Sequence, residues 1–156
     1  MSTQTLVQLI TGAAGSVSFG ILFHIKKQYL PLAAAGGFLS WLVFLMGKAL
    51  WGGVFLPSLL SSFVVDVYAE ILARICKETS TSFFVISVIP LIPGSTLYYC
   101  MSALAEGNIM QAEKYGGQTF LCALGISGGM AIAWCICDLT RKIKKVKKGV
   151  DKYWHG

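Results

Sequence analysis

Apolar residues occur along the chain in five long runs that are separated by short polar segments. The runs cover approximately 4–23, 29–47, 54–74, 82–104 and 118–139. Each has about the 20 residues of helix that are needed to cross a hydrocarbon core of about 30 Å. Strands of a membrane barrel would alternate apolar and polar positions over about ten residues, and these runs do not alternate. The pattern predicts an all-α integral membrane protein with five transmembrane helices.

The composition agrees with this pattern. Of the 156 residues, 55% are hydrophobic and 13% are charged, and the mean hydropathy is +0.67. Soluble domains carry about 25% charged residues. The longest polar segment lies at about 105–117, so no linker to a second domain is expected. The sequence predicts a five-helix transmembrane domain over 1–140 and a basic cytoplasmic tail over 141–156.

The basic residues predict how the helices are oriented. No Lys or Arg precedes the first run, whereas Lys26 and Lys27 follow it. A signal peptide has the reverse charge order, so we interpret the first run as a retained helix. Cytoplasmic loops collect Lys and Arg. With the N-terminus outside, only Lys48 and Lys114 lie in outer segments, and the other eleven basic residues lie on the cytoplasmic side together with the C-terminus.

Several functions are disfavoured by the residues present. The basic segment RKIKKVKK directly follows the last helix, where it would contact anionic lipid headgroups, and we favour this partner over nucleic acid. The five cysteines have no metal-type spacing beyond a bare C-x-C. The two histidines, His24 and His155, lie at the cytoplasmic margins, which leaves no metal cluster and no Ser-His-acid arrangement. We expect no enzyme, no metal and no cofactor.

Small residues four positions apart mark one face of three helices. This spacing lets helix backbones approach closely in a membrane. One interpretation is a tightly packed or sliding interface, and the other is ordinary helix packing. Because five short helices enclose little volume, we expect some of the neighbours to belong to another chain. The residues are Gly12, Ser16 and Gly20; Ala33 with Gly37, and Gly36 with Ser40; and Gly125, Gly129 and Ala133.

The third run carries a polar stripe, since Ser58, Ser62, Asp66, Glu70 and Arg74 follow one another at intervals of four. Taking Arg74 as the inner boundary, Asp66 lies about 12 Å into the membrane. A carboxylate at such a depth costs about 2.5–3.5 kcal/mol and usually faces a cavity or a partner. One hypothesis is that Asp66 and Glu70 couple transport to protons. The alternative is that Glu70 pairs with Arg74 and a partner chain caps Asp66.

The segment IPLIPGSTLYY, residues 89–99, predicts a break in the fourth helix near the midplane. Pro90 and Pro93 lack an N–H and clash with the preceding turn, and Gly94 permits unusual backbone angles. Irregular backbone at this depth is tolerated only where it is buried in protein or lines a watery cavity. A discontinuous helix at the midplane is a recurring binding site of transporters. The fourth helix is therefore predicted to be broken at Pro90–Gly94.

The second half of that helix is a candidate site for an anionic solute. Its free N–H groups and positive dipole end would face the gap and bind a carboxylate. Ser95 and Thr96 would add hydroxyl groups, and Tyr98 would add a phenol one turn further on. The candidate substrate-binding residues are Pro90, Pro93, Gly94, Ser95, Thr96 and Tyr98. The alternative is a proline kink with helix caps and no ligand.

The same stretch resembles a known family. FFVISVIPLIPGSTLYYCMSAL is similar to the P-L-x-P-G-x-x-x-Y signature of the threonine/serine exporter family (ThrE), and particularly to its small split subunit, the YjjB-like protein. The signature falls on Pro90, Leu91, Pro93, Gly94 and Tyr98. The likeness extends more loosely to the five hydrophobic runs, to AEILAR at the end of the third run, and to the basic C-terminus.

The resemblance implies one subunit of a two-protein exporter in the cytoplasmic membrane of a prokaryote. Its partner would be a larger YjjP-like membrane subunit, and the pair is a candidate for assembly into a homo-oligomer. Members of the family are associated with export of threonine and serine, or of a dicarboxylate such as succinate. Two other functions stay open: a non-transporting membrane scaffold subunit, and a passive solute channel that the serine stripe would line.

Overall fold

The computed structural model describes residues 3–77 and 79–154, and these residues form helices and short connections. One short 3-10 turn, Lys27–Tyr29, precedes the helix that begins at Leu30, and another, Ile89–Leu91, follows the helix that ends at Val88. The described part contains no strand. The helices are α1 (Thr3–Leu22), α2 (Leu30–Trp51), α3 (Phe55–Cys76), α4 (Ser80–Val88), α5 (Gly94–Ala105) and α6 (Ile109–Trp154).

Helix α3 lies at the centre of the bundle and packs against α2, α4 and α6. Its Val65, Ala69 and Leu72 form the core together with Phe83 and Phe84 of α4. This position explains why α3 carries buried serines and acidic residues, because its side chains meet other helices on several sides. Helix α5, in contrast, packs mainly on α6, and within α5 only Ala103 is buried.

Within the described residues, three helices are long and apolar enough to cross a membrane, namely residues 5–22 in α1, 27–51 around α2 and 109–140 in α6. The pair α4 and α5, bent by 51°, makes a fourth if it counts as one span. Helix α3 is not among them. The predicted all-α membrane fold and the predicted break in the fourth helix are confirmed, whereas the count of five spans and the orientation of the termini stay predictions.

The glycines of the small-residue faces are in close contact with neighbouring helices of the same chain. A Cβ atom added at Gly37 would lie 2.0 Å from Ser16 Oγ, so α1 and α2 approach at these residues. At Gly129 it would lie 2.1 Å from Ser62 Oγ and 2.3 Å from the Leu59 carbonyl oxygen. The expectation that another chain supplies some of the neighbours of these faces stays a prediction.

Helix α6 is longer than the sequence pattern predicted at both ends. The predicted loop at 105–117 is a short turn, because Gly107 has a φ of 73° and the Asn108 side chain accepts a hydrogen bond from the Gln111 N–H at 3.2 Å, which caps α6. The polar residues after this cap are good helix formers that were interpreted as a loop.

The predicted tail also continues this helix. No proline follows Pro93, and α6 runs without a break past residue 140 to Trp154. Its 46 residues correspond to about 69 Å of helix, more than twice the thickness of a hydrocarbon core. His155 and Gly156, the last two residues of the predicted tail, lie outside the described residues.

Candidate solute site at the helix break

The break between α4 and α5 is built by its two prolines. Residues after Val88 tighten into a 3-10 turn, with the Ile92 N–H bonded to the Ile89 carbonyl at 3.1 Å. Pro93 then turns the backbone with φ −77° and ψ 53°, so that α4 and α5 are bent by 51°, and no side chain caps the N-terminus of α5. The N–H groups of the first helical turn have no partner within the helix, so those of Ser95 and Thr96 are available at the gap.

Cys122 of α6 lies beside a carbonyl group that the break sets free. In a continuous helix the Leu91 carbonyl would accept a hydrogen bond from the N–H of residue 95. Here the Cys122 Sγ lies 3.7 Å from that carbonyl oxygen and 3.1 Å from Ser58 Oγ of α3. The Ser58 hydroxyl donates to the Val54 carbonyl at 2.7 Å. The break is thus held against both α3 and α6.

A cavity of about 350 Å³ lies at this break. Pro90, Pro93, Ser95 and Thr96, four of the six predicted substrate-binding residues, line it. The other walls come from α2, from the connection between α2 and α3, and from α6. The volume is at the lower end of the range for small-molecule sites in proteins. The structure therefore has a cavity at the predicted helix break, and the binding of a solute there stays a prediction.

The other two predicted residues do not line the cavity. Gly94 begins α5 within the gap, and a Cβ atom added there would meet no atom within 4 Å. Tyr98 is 68% exposed and packs edge-on against Tyr99, with 5.7 Å between ring centroids. Successive side chains on a helix are rotated by about 100°, so Tyr98 points about 200° away from Thr96. The structure thus places Tyr98 on another side of α5.

The hydroxyl of Thr96 is already engaged within the protein. It donates to the Pro93 carbonyl at 3.0 Å, and the Thr119 hydroxyl lies 2.9 Å from it. Because the single hydroxyl proton is used on the Pro93 carbonyl, Thr96 has no hydroxyl proton left to donate to a solute. The hydroxyl of Ser95 and the backbone N–H groups remain as the donors that this segment offers to the cavity.

The cavity is also lined by residues outside the predicted site, and three of them carry polar groups with N–H donors: Lys48, Trp41 and Gln118. Lys48, in the last turn of α2, is the one charged side chain among the described residues that line it. Trp41 stacks on Phe44, with 5.2 Å between ring centroids, and its buried indole N–H has no hydrogen-bond partner among the described residues. Gln118 of α6 completes this set. From the sequence, Lys48 is only one of the two basic residues predicted to lie outside.

Asp66 lies at a separate cavity of about 310 Å³. Ser80, Thr81, Phe84 and Trp134 are among the residues that line it with Asp66, and no residue of the helix break does. Counting residues along the third run from Arg74 predicts that Asp66 lies at about the same depth in the membrane as the break. Depth along a helix does not determine which cavity a side chain reaches, and here the two features belong to different cavities.

Glu70 and the serines of α3 are packed inside the protein. Glu70 is buried, and its Oε1 lies 3.2 Å from Arg74 Nη2, which is the ion pair of the alternative interpretation. Ser58 and Ser62 are fully buried, and Ser62 Oγ contacts the Gly125 carbonyl at 3.5 Å. The two serines of the polar stripe therefore lie between α3 and α6 and do not line an open channel in this structure.

Apolar helices with a cavity beside a broken helix are an arrangement that recurs in membrane transporters. The chain belongs to the threonine/serine exporter family, because the family model described as Threonine/Serine exporter, ThrE, matches residues 8–136. No curated protein and no solved structure matches the chain. This match confirms, at the level of the family, the resemblance seen in the Pro90–Gly94 segment.

Proposed function

We propose that this chain is a subunit of a secondary-active exporter for small carboxylate-bearing metabolites, threonine and serine or a dicarboxylate such as succinate. It works with a larger YjjP-like subunit in the cytoplasmic membrane of a prokaryote, where five helices span the bilayer with the N-terminus outside. Family membership supports export of the threonine/serine type. The substrate, the partner and the topology are part of the proposal.

The observation that carries the proposal is the cavity at the helix break. It combines the uncapped N-terminus of α5 with the ammonium group of Lys48, and no acidic side chain lines it. Backbone N–H groups at a helix N-terminus and a nearby cation both favour a negatively charged ligand. The stacked Trp41 and Phe44 supply an apolar wall against the carbon chain of the solute. A small carboxylate fits this chemistry.

Proton coupling is assigned to Asp66 in this proposal. Asp66 is partly buried and lines its own cavity, and no salt bridge to it is present among the described residues. Glu70 is held by Arg74 and has the lesser role of a neighbouring negative charge. A carboxylate in a membrane protein that is not neutralised by a basic side chain is a common proton carrier in transporters.

Replacing the break with a regular helix tests the site. The variant Pro90→Ala, Pro93→Ala, Gly94→Ala restores hydrogen bonding through α4 and α5 and closes the gap, so efflux by the reconstituted pair should fall at least tenfold while membrane insertion is unchanged. Gly117→Ala is the control, since a Cβ atom there meets no atom within 4 Å. Normal efflux by the triple variant would remove the break from the mechanism.

Counterflow distinguishes the proposal from the two alternatives. Vesicles that contain the pair are loaded with threonine, serine or succinate, and uptake of the labelled solute is measured. A carrier accelerates exchange when solute is present on the far side, whereas a channel does not. A scaffold subunit would leave transport by the partner unchanged when the cavity residues of this chain are altered.

A further inference from the structure

Three segments line both the break cavity and the Asp66 cavity, at two levels of the bundle. They are the chain around α3, α4 with the turn after it, and α6. The chain around α3 contributes Val54 to the break cavity and Asp66 to the other. The two residues are twelve positions apart, which corresponds to about 18 Å of helix. Helix α6 contributes Cys122 to the break cavity and Met130 to the Asp66 cavity, about 12 Å apart.

Helix α4 and the turn that follows it also line both cavities. Along this segment the Asp66 cavity comes first and the break cavity second, which is the reverse of the order along α3 and α6. Leu91 lines the break cavity, and Phe84 lines the Asp66 cavity, about 10 Å away. Both side chains are buried, and both belong to one apolar cluster with Val88 and Val65. Packed apolar side chains thus close the space between the two cavities along α4.

A buried polar row connects the two levels along the contact between α3 and α6. Ser58 contacts Cys122 at 3.1 Å at the break cavity, Ser62 follows one turn later, and Asp66 follows after another turn at the second cavity. Gly125 and Gly129 of α6 close this row, because added Cβ atoms would lie 2.9 Å from Ser58 Cβ and 2.1 Å from Ser62 Oγ. In this structure the two hydroxyl groups donate to backbone carbonyls, from Ser58 to Val54 at 2.7 Å and from Ser62 to Leu59 at 3.1 Å.

We infer that the contact between α3 and α6, from Ser58 and Gly125 to Asp66 and Met130, is the path by which solute passes between the two cavities, and that this structure shows the path closed. The inference rests on the proposed function, since it assigns a route to the solute of the same exporter. It requires α3 and α6 to separate during transport. The serine row then becomes a polar lining, and the small glycines permit the two helices to close again.

Thiol labelling tests this opening without any solute. In a background without the five native cysteines, Ser62→Cys lies on the proposed path, and Ser40→Cys is the matched control between α2 and α3. Both serines are 0% exposed. Ser62→Cys should react with methanethiosulfonate ethylammonium at least tenfold faster than Ser40→Cys, because only the contact of α3 with α6 opens. Equal labelling rates would overturn the inference.

A disulfide lock tests the role of the opening in transport. Ser58→Cys faces the native Cys122, and oxidation would link α3 to α6 when the other four cysteines are replaced. Efflux should fall at least tenfold and return with dithiothreitol. The control is the pair Gly20→Cys and Ala33→Cys, which links α1 to α2, because a Cβ at Gly20 lies 3.8 Å from Ala33 Cβ, a distance suited to a disulfide. The control link should leave efflux within twofold.

These results separate the inference from the proposed function. A linked α3–α6 protein that transports at the rate of the unlinked protein overturns the inference, even when the wild-type pair exports carboxylates normally. A wild-type pair that exports no carboxylate contradicts the proposed function, and the ratio of the two labelling rates then still decides whether the path opens.

Discussion

At the scale of single residues, Lys48 is the side chain on which the electrostatics of the break cavity depend. It is the one charge among the described lining residues, and no acidic group beside it neutralises the ammonium. A hydrogen bond to a charged group contributes about 1.5–3 kcal/mol, which is about a tenfold to hundredfold change in affinity.

Lys48→Ala should therefore raise the KM of carboxylate efflux at least tenfold, because the solute loses its charged partner, while Lys48→Arg retains the charge and should have a smaller effect. Lys114→Ala, an exposed lysine of α6 away from the cavity, serves as the control. Initial rates over a range of solute concentrations give KM and Vmax. An unchanged KM in Lys48→Ala would exclude the lysine from solute binding.

Asp66 gives a second prediction at this scale. If its carboxylate carries the coupled proton, Asp66→Asn cannot bind or release that proton. Efflux by the wild-type pair should rise with an inwardly directed proton gradient, and efflux by the variant should no longer depend on the gradient. Asp138→Asn is the control, since Asp138 pairs with Lys142 at 2.9 Å on an exposed part of α6. A normal gradient dependence in Asp66→Asn would remove Asp66 from coupling.

At the scale of the helices, adjacent glycines of α6 differ in what surrounds them. A Cβ at Gly129 would lie 2.3 Å from the Leu59 carbonyl oxygen, whereas a Cβ at Gly128 would lie 3.8 Å from a flexible Leu59 methyl group. Overpacking a close contact costs about 1–3 kcal/mol, but alanine is otherwise favoured over glycine within a helix by up to about 1 kcal/mol.

Gly129→Ala should accordingly lower the melting temperature of the purified protein by several degrees because α3 and α6 are pushed apart. Gly128→Ala should leave it unchanged or raise it slightly. Thermal unfolding in detergent, followed by circular dichroism, measures both variants under the same conditions. Equal melting temperatures would show that α3 and α6 are less closely packed than described.

The helices also show which features could be predicted from the sequence. The break at Pro90 and Pro93 was predictable because proline and glycine act through their own backbone, whatever surrounds them. The polar start of α6 was misassigned as a loop, since no local signal distinguishes an exposed helix from a loop when the apolar period is absent. The cap at Asn108 was the one cue that could have placed the start of α6.

At the scale of the whole molecule, the composition of the break cavity could not be derived from one segment. Lys48 and Trp41 lie on α2, more than forty residues before the break, and only the packing of α2 against the turn at Pro90 brings them there. The chain pattern placed Asp66 by its depth alone, although the rotation of α3 turns it toward a different cavity. Such relations depend on how the helices pack, and this packing cannot be predicted from the pattern of a single sequence.

Binding of solute beside Trp41 tests the central claim most directly. The pair is prepared with Trp41 as its only tryptophan, after replacement of Trp51, Trp134, Trp154 and the partner's tryptophans by phenylalanine, and its fluorescence is titrated with threonine, serine and succinate. The account predicts a saturable change for the exported solute, at a concentration near its KM, that Lys48→Ala weakens at least tenfold. A pair that exports the solute without any saturable change at Trp41 would contradict the account.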